Sequence, residues 1–427
     1  MALRRWYQEN EALAVLSFAI LLTELGFGMI TPVQGLFARD LGASISFVGV
    51  VIAIYGLGRF VANVPVGLAA DRFGRKPVFT LGAALTCVAS LTMAVAPNLG
   101  VLLFGRLLAG VAAAMMLLSG QIMVSDSSTV RDRGRKIAIY MGFFLLGADI
   151  GPLPGGVISD AWGLRAVFFA YAAIMVVVTA LALARLKETR PVRRSMAARE
   201  EQRDAPRGEA GGEAGAAVDE RATAGPAPRG LRSKAFVLVV AVSFAFFFTR
   251  TGVLQNVIPL FGVESLGLSK TQVGLAFTIG RLPSFLGLFV VAMLADRYGR
   301  KPLLVPGALG AVAAVALWAQ ADGFAVFLLS SLMWGVASSV SGAIPVIYVA
   351  DIVRPEQSAR ALSLLRTISD LGYFVGPIGI SFAASSQGYP FAITLGAIVI
   401  AVATIPFWLL APESLARRHE GDSAEHA

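Results

Sequence analysis

Three carboxylates lie inside long apolar stretches of the chain, where ionised groups are rare. Glu24 lies ~18 Å along the first stretch, Asp149 lies at similar depth in the fifth, and Asp370 lies near the middle of the eleventh. An ionised carboxylate is costly in apolar surroundings, and an acid that gains and loses a proton there can carry protons through an apolar layer. We therefore treat these three acids as candidate proton-coupling residues.

Five arginines occupy the same apolar stretches and outnumber the acids: Arg59, Arg106, Arg250, Arg281 and Arg366. Arg366 precedes Asp370 by four residues, a spacing at which two helical side chains can form an ion pair. Arg250 lies at the depth of Glu24 and could pair with it. Such pairs would give Asp370 and Glu24 a structural role, and this alternative stays open for both. For Asp149, no pattern in the sequence supports a functional role for the acid.

The same stretches contain side chains that could contact a substrate. The excess of positive charge would suit an anionic molecule, for which guanidinium groups are good partners. Aromatic rings could stack on a lipophilic one, although Phe is abundant in any membrane helix and packing is the plainer explanation. The candidate substrate contacts are Arg59, Arg250, Arg281, Phe247, Tyr373 and Phe374.

Composition identifies the elements that must position these residues. Of 427 residues, 56% are hydrophobic and 15% are charged, and the mean hydropathy is +0.72. A soluble protein of this composition would expose large apolar patches. Twelve apolar stretches are long enough to cross ~30 Å of hydrocarbon as helices. We predict an all-α membrane protein with twelve transmembrane helices, the first of them retained rather than cleaved as a signal peptide.

The distribution of Lys and Arg predicts the orientation. With a cytoplasmic N-terminus, 28 of the 36 fall in cytoplasmic segments, three in outer loops and five within spans. This asymmetry follows the positive-inside rule. We expect a multi-pass protein of the cell membrane with both termini in the cytoplasm. The net charge of +9 then indicates contact with anionic lipid rather than nucleic acid.

A long repeat divides the chain. The sequence DRFGRKP at residues 71–77 returns as DRYGRKP at 296–302, and Gly110, Asp126 and the GxxxGP at 147–152 also recur 225 residues later. We predict two six-helix bundles with a cavity between them, an architecture typical of transporters. The predicted boundaries are 1–189 and 231–412 for the bundles, 190–230 for a flexible linker rich in Ala, Gly and Pro, and 413–427 for a tail.

These motifs resemble those of the major facilitator superfamily over nearly the whole chain. GLAADRFGRKP is similar to the family's signature in the loop between spans two and three, and LADRYGRKP is similar to its counterpart between spans eight and nine. The resemblance implies that Asp71 docks against the other bundle when the cytoplasmic side closes. It also implies that Arg75 pairs with Asp126 and Arg300 with Asp351. The complete gating set is Gly67, Asp71, Arg72, Gly74, Arg75, Lys76, Asp126, Asp296, Arg300 and Asp351. The alternative is that these charges only anchor loops at the membrane surface.

Two further motifs resemble those of the drug:proton antiporters in this superfamily. The fifth stretch contains GADIGPLPGG, in which Gly147, Gly151, Pro152, Gly155 and Gly156 match the antiporter motif. Arg106 matches the arginine of the family's fourth span. The resemblance implies a proton-coupled exporter of small lipophilic, drug-like molecules that works by alternating access.

Two other functions stay open. The arginines would suit an exporter or flippase of an anionic metabolite, siderophore or lipid, and the scaffold could serve a membrane sensor that transports nothing. We predict no enzyme activity and no cofactor or metal site. The single Cys lies in an apolar stretch and both His residues lie in the C-terminal tail. The expected partners are a small-molecule substrate, protons and membrane lipids, and we expect a monomer.

Overall fold

The computed structural model describes the backbone of residues 11–129, 132–189, 233–353 and 355–414. The predicted linker 190–230 and nearly all of the predicted tail lie outside these residues. We call 11–189 the N-terminal half and 233–414 the C-terminal half.

The described residues are almost entirely helical. The N-terminal half contains α1 (Glu11–Ile30), α2 (Gln34–Asp40), α3 (Ile45–Phe73), α4 (Arg75–Ala94), α5 (Leu99–Asp126), α6 (Arg133–Ile150), α7 (Pro152–Trp162) and α8 (Leu164–Arg185). The C-terminal half contains α9 (Lys234–Thr249), α10 (Lys270–Tyr298), α11 (Lys301–Ala319), α12 (Phe324–Ile352), α13 (Pro355–Gln387) and α14 (Tyr389–Leu410). Between α9 and α10 the helix continues through π-helical Arg250–Val257, one α-helical turn at Ile258–Leu260 and π-helical Phe261–Ser265.

The helices confirm an all-α membrane fold. Within the described residues, ten helical segments are long and apolar enough to span a membrane. The other two predicted spans correspond to the helices α10 and α13. Three spans are interrupted. The first breaks at residues 31–33 and the fifth at Gly151, each beside a proline that lacks a helical N–H donor. The seventh is π-helical at Arg250–Val257 and Phe261–Ser265.

The two halves close against each other at one end only. We call the end with residues 71–77 and 296–302 the linker face, and the opposite end the far face. Between described residues, every hydrogen bond and ion pair that joins the halves lies between the middle of the helices and the far face, from Arg281 and Asp149 out to Arg39 and Glu264. The space between the halves therefore opens toward the linker face.

Candidate functional site

The candidate site is a cavity of about 300 Å³ between the two halves. It extends from Ile30 and Thr31 near the far face to Gln121 and Arg366 on the linker side. Its lining contains far more charge than a packed interior, because Glu24, Asp370 and all five intramembrane arginines contribute to it: Arg59, Arg106, Arg250, Arg281 and Arg366. The sequence predicted these residues as candidates, and the fold brings them together.

Glu24 is the one of the three acids that forms no ion pair with a described residue. No hydrogen bond joins its carboxylate to a described residue either, and the alternative pair with Arg250 does not form in this conformation, although Arg59 and Arg250 are close enough for their charges to act on it. Arg59 and Arg250 also line the cavity and likewise make no ion pair within the described part of the chain. The cavity therefore presents one acid and two arginines that are available to a proton or a ligand.

Asp149 forms an ion pair that bridges the halves. Its Oδ1 lies 3.5 Å from NH1 of Arg281 on α10, and both side chains are about 15% exposed. The same guanidinium donates to the Ala148 carbonyl oxygen at 3.4 Å. Burial strengthens the attraction of such a pair, but each charge also loses hydration that only its partner replaces. The contact can exist only while the halves are close at this level.

Two other charged groups have partners within one half. Arg366 Nε lies 3.6 Å from Asp370 Oδ2 along the same helix, which is the structural alternative foreseen for this acid. Arg106 is 2% exposed, donates from Nε to the Val51 carbonyl oxygen at 3.3 Å and lies over the ring of Tyr55. Arg106 therefore ties α5 to α3.

The predicted aromatic contacts divide between two spaces. Phe247 and Tyr373 line the central cavity. Phe374 does not line it, but lines an adjacent groove between α3 and α13, which also contains Tyr373. The Tyr373 hydroxyl donates to Gln255 Oε1 at 3.5 Å on the π-helical segment.

Polar contacts close the far face. Asp160 on α7 accepts hydrogen bonds from the first residues of α10, namely from the backbone N–H of Lys270 and Thr271 and from the Thr271 hydroxyl at 2.7 Å. Arg39 pairs with Glu264 at 3.2 Å, and Tyr389 donates to the same carboxylate at 2.5 Å. We call these two groups the far-face latch. A carboxylate at a helix N-terminus is favourable because it caps free N–H groups and opposes the helix dipole.

The linker face contains both ion pairs that the family resemblance implies. Arg75 Nε lies 3.2 Å from Asp126, and Arg300 Nε lies 2.9 Å from Asp351. Among the described residues, Asp71 forms an ion pair only with Arg75 of its own half, and its side chain is 70% exposed. The docking of Asp71 on the other half stays a prediction for a conformation with the linker face closed.

The other members of the predicted gating set lie around these pairs. Gly74 adopts a φ of 105°, a backbone conformation that glycine tolerates best, and ends α3. Gly67 has room for a side chain in this conformation, since an added Cβ would make only an ordinary van der Waals contact with Leu118 at 3.8 Å. Arg72 lies over the ring of Phe73, and the Lys76 Nζ donates to the Leu183 carbonyl oxygen at 3.0 Å. The side chain of Asp296 lies outside the described residues.

Sequence reasoning missed two glutamates that complete this face. Glu188 accepts the backbone N–H groups of Arg75 and Lys76, which begin α4. Glu413 accepts those of Arg300 and Lys301 in the same way. Each glutamate caps a helix of its own half and fixes the loop that precedes it. Glu188 and Glu413 are 225 residues apart, so the repeat itself contained the signal.

Glycines of the antiporter motif set the distance between α1 and the fifth span. An added Cβ at Gly147, Gly151 or Gly155 would overlap backbone of α1. Gly156 faces the other half, where its Cβ would overlap Lys270, and Pro152 contacts Gly274 of α10. The motif therefore allows close packing on two sides at once.

We expect Gly151→Ala to destabilise the fold, because the new methyl group would overlap the Leu25 carbonyl oxygen and lie 2.7 Å from Gly28 Cα. Overpacking of this kind costs about 1–3 kcal/mol. Thermal unfolding in detergent measures the effect. Gly142→Ala on the same span is the control, since its Cβ meets nothing within 4 Å. Equal melting temperatures for the two variants would contradict the packing argument.

Known proteins share sequence features with this chain. The family model described as Major Facilitator Superfamily matches residues 16–269 and 240–426. The class C tetracycline resistance protein of Escherichia coli is 26% identical over 70% of this chain and 71% of its own length. Multidrug resistance protein 2 of Bacillus subtilis and the quinolone resistance protein NorA of Staphylococcus aureus are each 28% identical. Their matches span 43% and 35% of this chain, and 45% and 39% of the relatives' own lengths.

Solved structures share the fold at low identity. A bacterial homolog of the human lysosomal transporter Spinster, in an inward-facing and occupied conformation, superposes with a TM-score of 0.74 at 15% identity, covering 94% of this chain and 96% of that one. A D-xylose-proton symporter gives 0.69 at 17% identity, covering 94% and 98%. At these identities the likeness establishes the fold alone.

Proposed function

The chain belongs to the Major Facilitator Superfamily and is a membrane transporter rather than an enzyme, and from that membership we propose that it exports small lipophilic molecules in exchange for protons. The observation that carries this proposal is Glu24, which has no hydrogen-bond or ion-pair partner among the described residues and lies in a cavity closed at the far face and open at the linker face. Resistance proteins among its relatives support export of drug-like substrates.

We place the linker face in the cytoplasm, following the distribution of Lys and Arg. The conformation described here then receives substrate from the cytoplasm. Opening of the far-face latch and closure of the linker face would expose the cavity outward, release the substrate and let a proton reach Glu24. Protonation removes a charge that is costly in apolar surroundings, and the cavity would return inward with the proton. Asp149 and Asp370 differ from Glu24 in having arginine partners.

Substrate-dependent proton flux in proteoliposomes tests the proposal. The full chain is reconstituted, a pH gradient is imposed, and movement of a lipophilic cationic dye is followed together with internal pH. We expect dye movement against its own gradient, coupled to proton flow in the opposite direction. Absence of solute movement under any gradient would favour the sensor alternative. Solute movement at a rate that is independent of the pH gradient would exclude proton coupling.

A second candidate function is transport of an anionic molecule. Arg59 and Arg250 line the cavity without ion-pair partners in the described chain, and guanidinium groups bind carboxylates and phosphates well. An anionic dye of similar size in the same vesicles distinguishes the two candidates. Charge reversal at Arg250 should abolish movement of the anion and spare movement of the cation.

We expect Asp160→Asn to favour opening at the far face. The amide keeps one acceptor oxygen and loses the charge that faces the start of α10, a loss of about 1 kcal/mol at this half-exposed site, or about fivefold in the closed population. The rate at which a membrane-impermeant maleimide labels Thr31→Cys, in a Cys87→Ser background, measures opening, because Thr31 is 3% exposed at the closed end.

Asp40→Asn is the matched control for this measurement. Asp40 lies on the same face, is exposed, and makes no hydrogen bond or ion pair within the described residues. Faster labelling in both variants would indicate a general effect of charge at the far face. Unchanged labelling in Asp160→Asn would remove Asp160 from the latch.

A further inference from the structure

An apolar groove of about 340 Å³ lies between α3 and α13, beside the central cavity. Toward the far face these helices touch, since a Cβ at Gly49 would overlap the Pro377 carbonyl oxygen. Toward the linker face they diverge. The groove begins where they part and is lined chiefly by apolar side chains, among them Leu57, Phe60 and Leu371.

The groove opens in two directions. On its inner side Arg59, Asp370 and Tyr373 line both the groove and the central cavity, so the two spaces adjoin. On its outer side Phe60 is 61% exposed and Leu371 is 52% exposed, and both lie within membrane-spanning helices. The groove therefore lies between the central cavity and the side of the protein that faces the bilayer.

The two ends of this path differ in chemistry. At the inner end Arg59 makes no ion pair within the described residues, while the carboxylate of Asp370 is paired with Arg366. Arg250 and Glu24 lie in the adjoining cavity, so Arg59, Arg250 and Glu24 together leave a net positive charge. At the outer end the walls are aliphatic and aromatic. A molecule with one anionic group and one flexible apolar tail matches both ends. Its tail could remain in an apolar environment throughout, while its headgroup leaves water only to meet guanidinium groups.

We propose that this groove binds the tail of a single-chain anionic amphiphile drawn from the bilayer, with its headgroup at Arg59. This inference names a substrate class for the second candidate function, transport of an anionic molecule. It rests on that function for the claim that the amphiphile is transported. The binding itself does not depend on transport. The site lies on the wall of the cavity, so an amphiphile could enter sideways without passing through the open linker face.

Photolabelling tests the binding in membranes. The probe is dodecanoate with a diazirine at the end of its tail, added to proteoliposomes that contain the full chain. We expect labelled peptides from α3 near residues 56–63 and from α13 near residues 367–374. Excess dodecanoate should compete for labelling, and dodecyltrimethylammonium should not. Even labelling of all lipid-facing helices, or equal competition by the two amphiphiles, would overturn the proposal.

Two variants sharpen the result. Leu371→Trp should fill the groove and abolish labelling of residues 56–63. Leu309→Trp is the control, because Leu309 is 41% exposed near the middle of α11 and away from the groove. Arg59→Gln keeps the groove but removes the cation, so labelling should persist and lose its preference for the carboxylate. Identical labelling in Leu371→Trp and the unmodified chain would contradict the placement of the tail.

A transport measurement separates this inference from the proposed function. The gradient-driven movement of a short anion, benzoate, and of dodecanoate is compared in the same vesicles. Loss of dodecanoate movement in Leu371→Trp with benzoate movement retained supports the groove as an entry path. Movement of neither anion, with groove labelling intact, would reject anion transport and leave the binding site standing.

Discussion

Replacement of Glu24 by Gln should abolish proton-driven transport and leave the protein folded. The amide cannot exchange a proton, yet it has nearly the same shape, and no ion pair within the described chain is lost. We expect gradient-driven movement of the substrate to fall to the level of empty vesicles. Exchange of labelled for unlabelled substrate without a pH gradient should continue, because exchange needs no net proton movement. Both rates are measured in the same proteoliposomes.

Three other acids provide comparisons for this experiment. Asp149→Asn and Asp370→Asn test the remaining candidates, and Asp322→Asn, in an exposed loop at the far face, is the control. If Glu24→Gln pumps normally while Asp149→Asn does not, the coupling site is Asp149. If a variant that combines the substitutions of Glu24, Asp149 and Asp370 still pumps in response to the pH gradient, none of these three acids couples protons and the proposed mechanism is wrong.

Removal of Arg281 should have the second large effect. In Arg281→Gln the carboxylate of Asp149 stays largely buried without its partner at 3.5 Å, and breaking a buried pair from one side costs about 3–5 kcal/mol. Because the pair joins the two halves, this energy is lost from the conformation closed at the far face. We expect a lower melting temperature and transport reduced to a few per cent of normal.

The double variant Asp149→Asn/Arg281→Gln tests whether the pair is the cause. It removes both charges, so no unpaired ion remains and much of the stability should return. A double-mutant cycle on thermal unfolding gives the interaction energy. Additive effects of the two single substitutions would show that the two side chains act independently, contrary to the contact in the structure.

The fold was predictable from sequence because its causes are local and repeated. Length and apolarity determine where helices cross a membrane, and each of the twelve predicted spans corresponds to a helical segment. The first span breaks at residues 31–33 and continues to Asp40. Hydropathy alone does not register the break at Gly151, although Pro152 marks it in the sequence, or the π-helical turns within the seventh span.

The residues of the candidate site could be predicted from the sequence, but which of them form ion pairs could not. A charge inside an apolar stretch is conspicuous, so Glu24, Asp149 and the five arginines were all identified from sequence. Which charges pair depends on the rotation of each helix and on which end of the cavity is closed. The pair between Asp149 and Arg281 was therefore missed.

The far-face latch was missed for a different reason. Charged residues are common near the ends of spans, so nothing in the sequence distinguishes Asp160, Arg39 or Glu264 from the others. Arg39 and Glu264 are nevertheless 225 residues apart, so they occupy equivalent positions of the repeat with opposite charge. A systematic search of repeat-equivalent positions would have found this pair.

The two unpaired arginines have a consequence for the energetics of export. A cation that approaches Glu24 favours its ionised form, so arrival of the cation favours departure of the proton and the two travel in opposite directions. An anion bound at Arg59 or Arg250 instead screens those positive charges from Glu24, and the acid is then more easily protonated. Anion and proton would share the same half of the cycle. With one proton for each monovalent anion the two charges cancel, so the membrane potential would not drive the movement, and a pH difference with the alkaline side inside would favour uptake of the anion over its export.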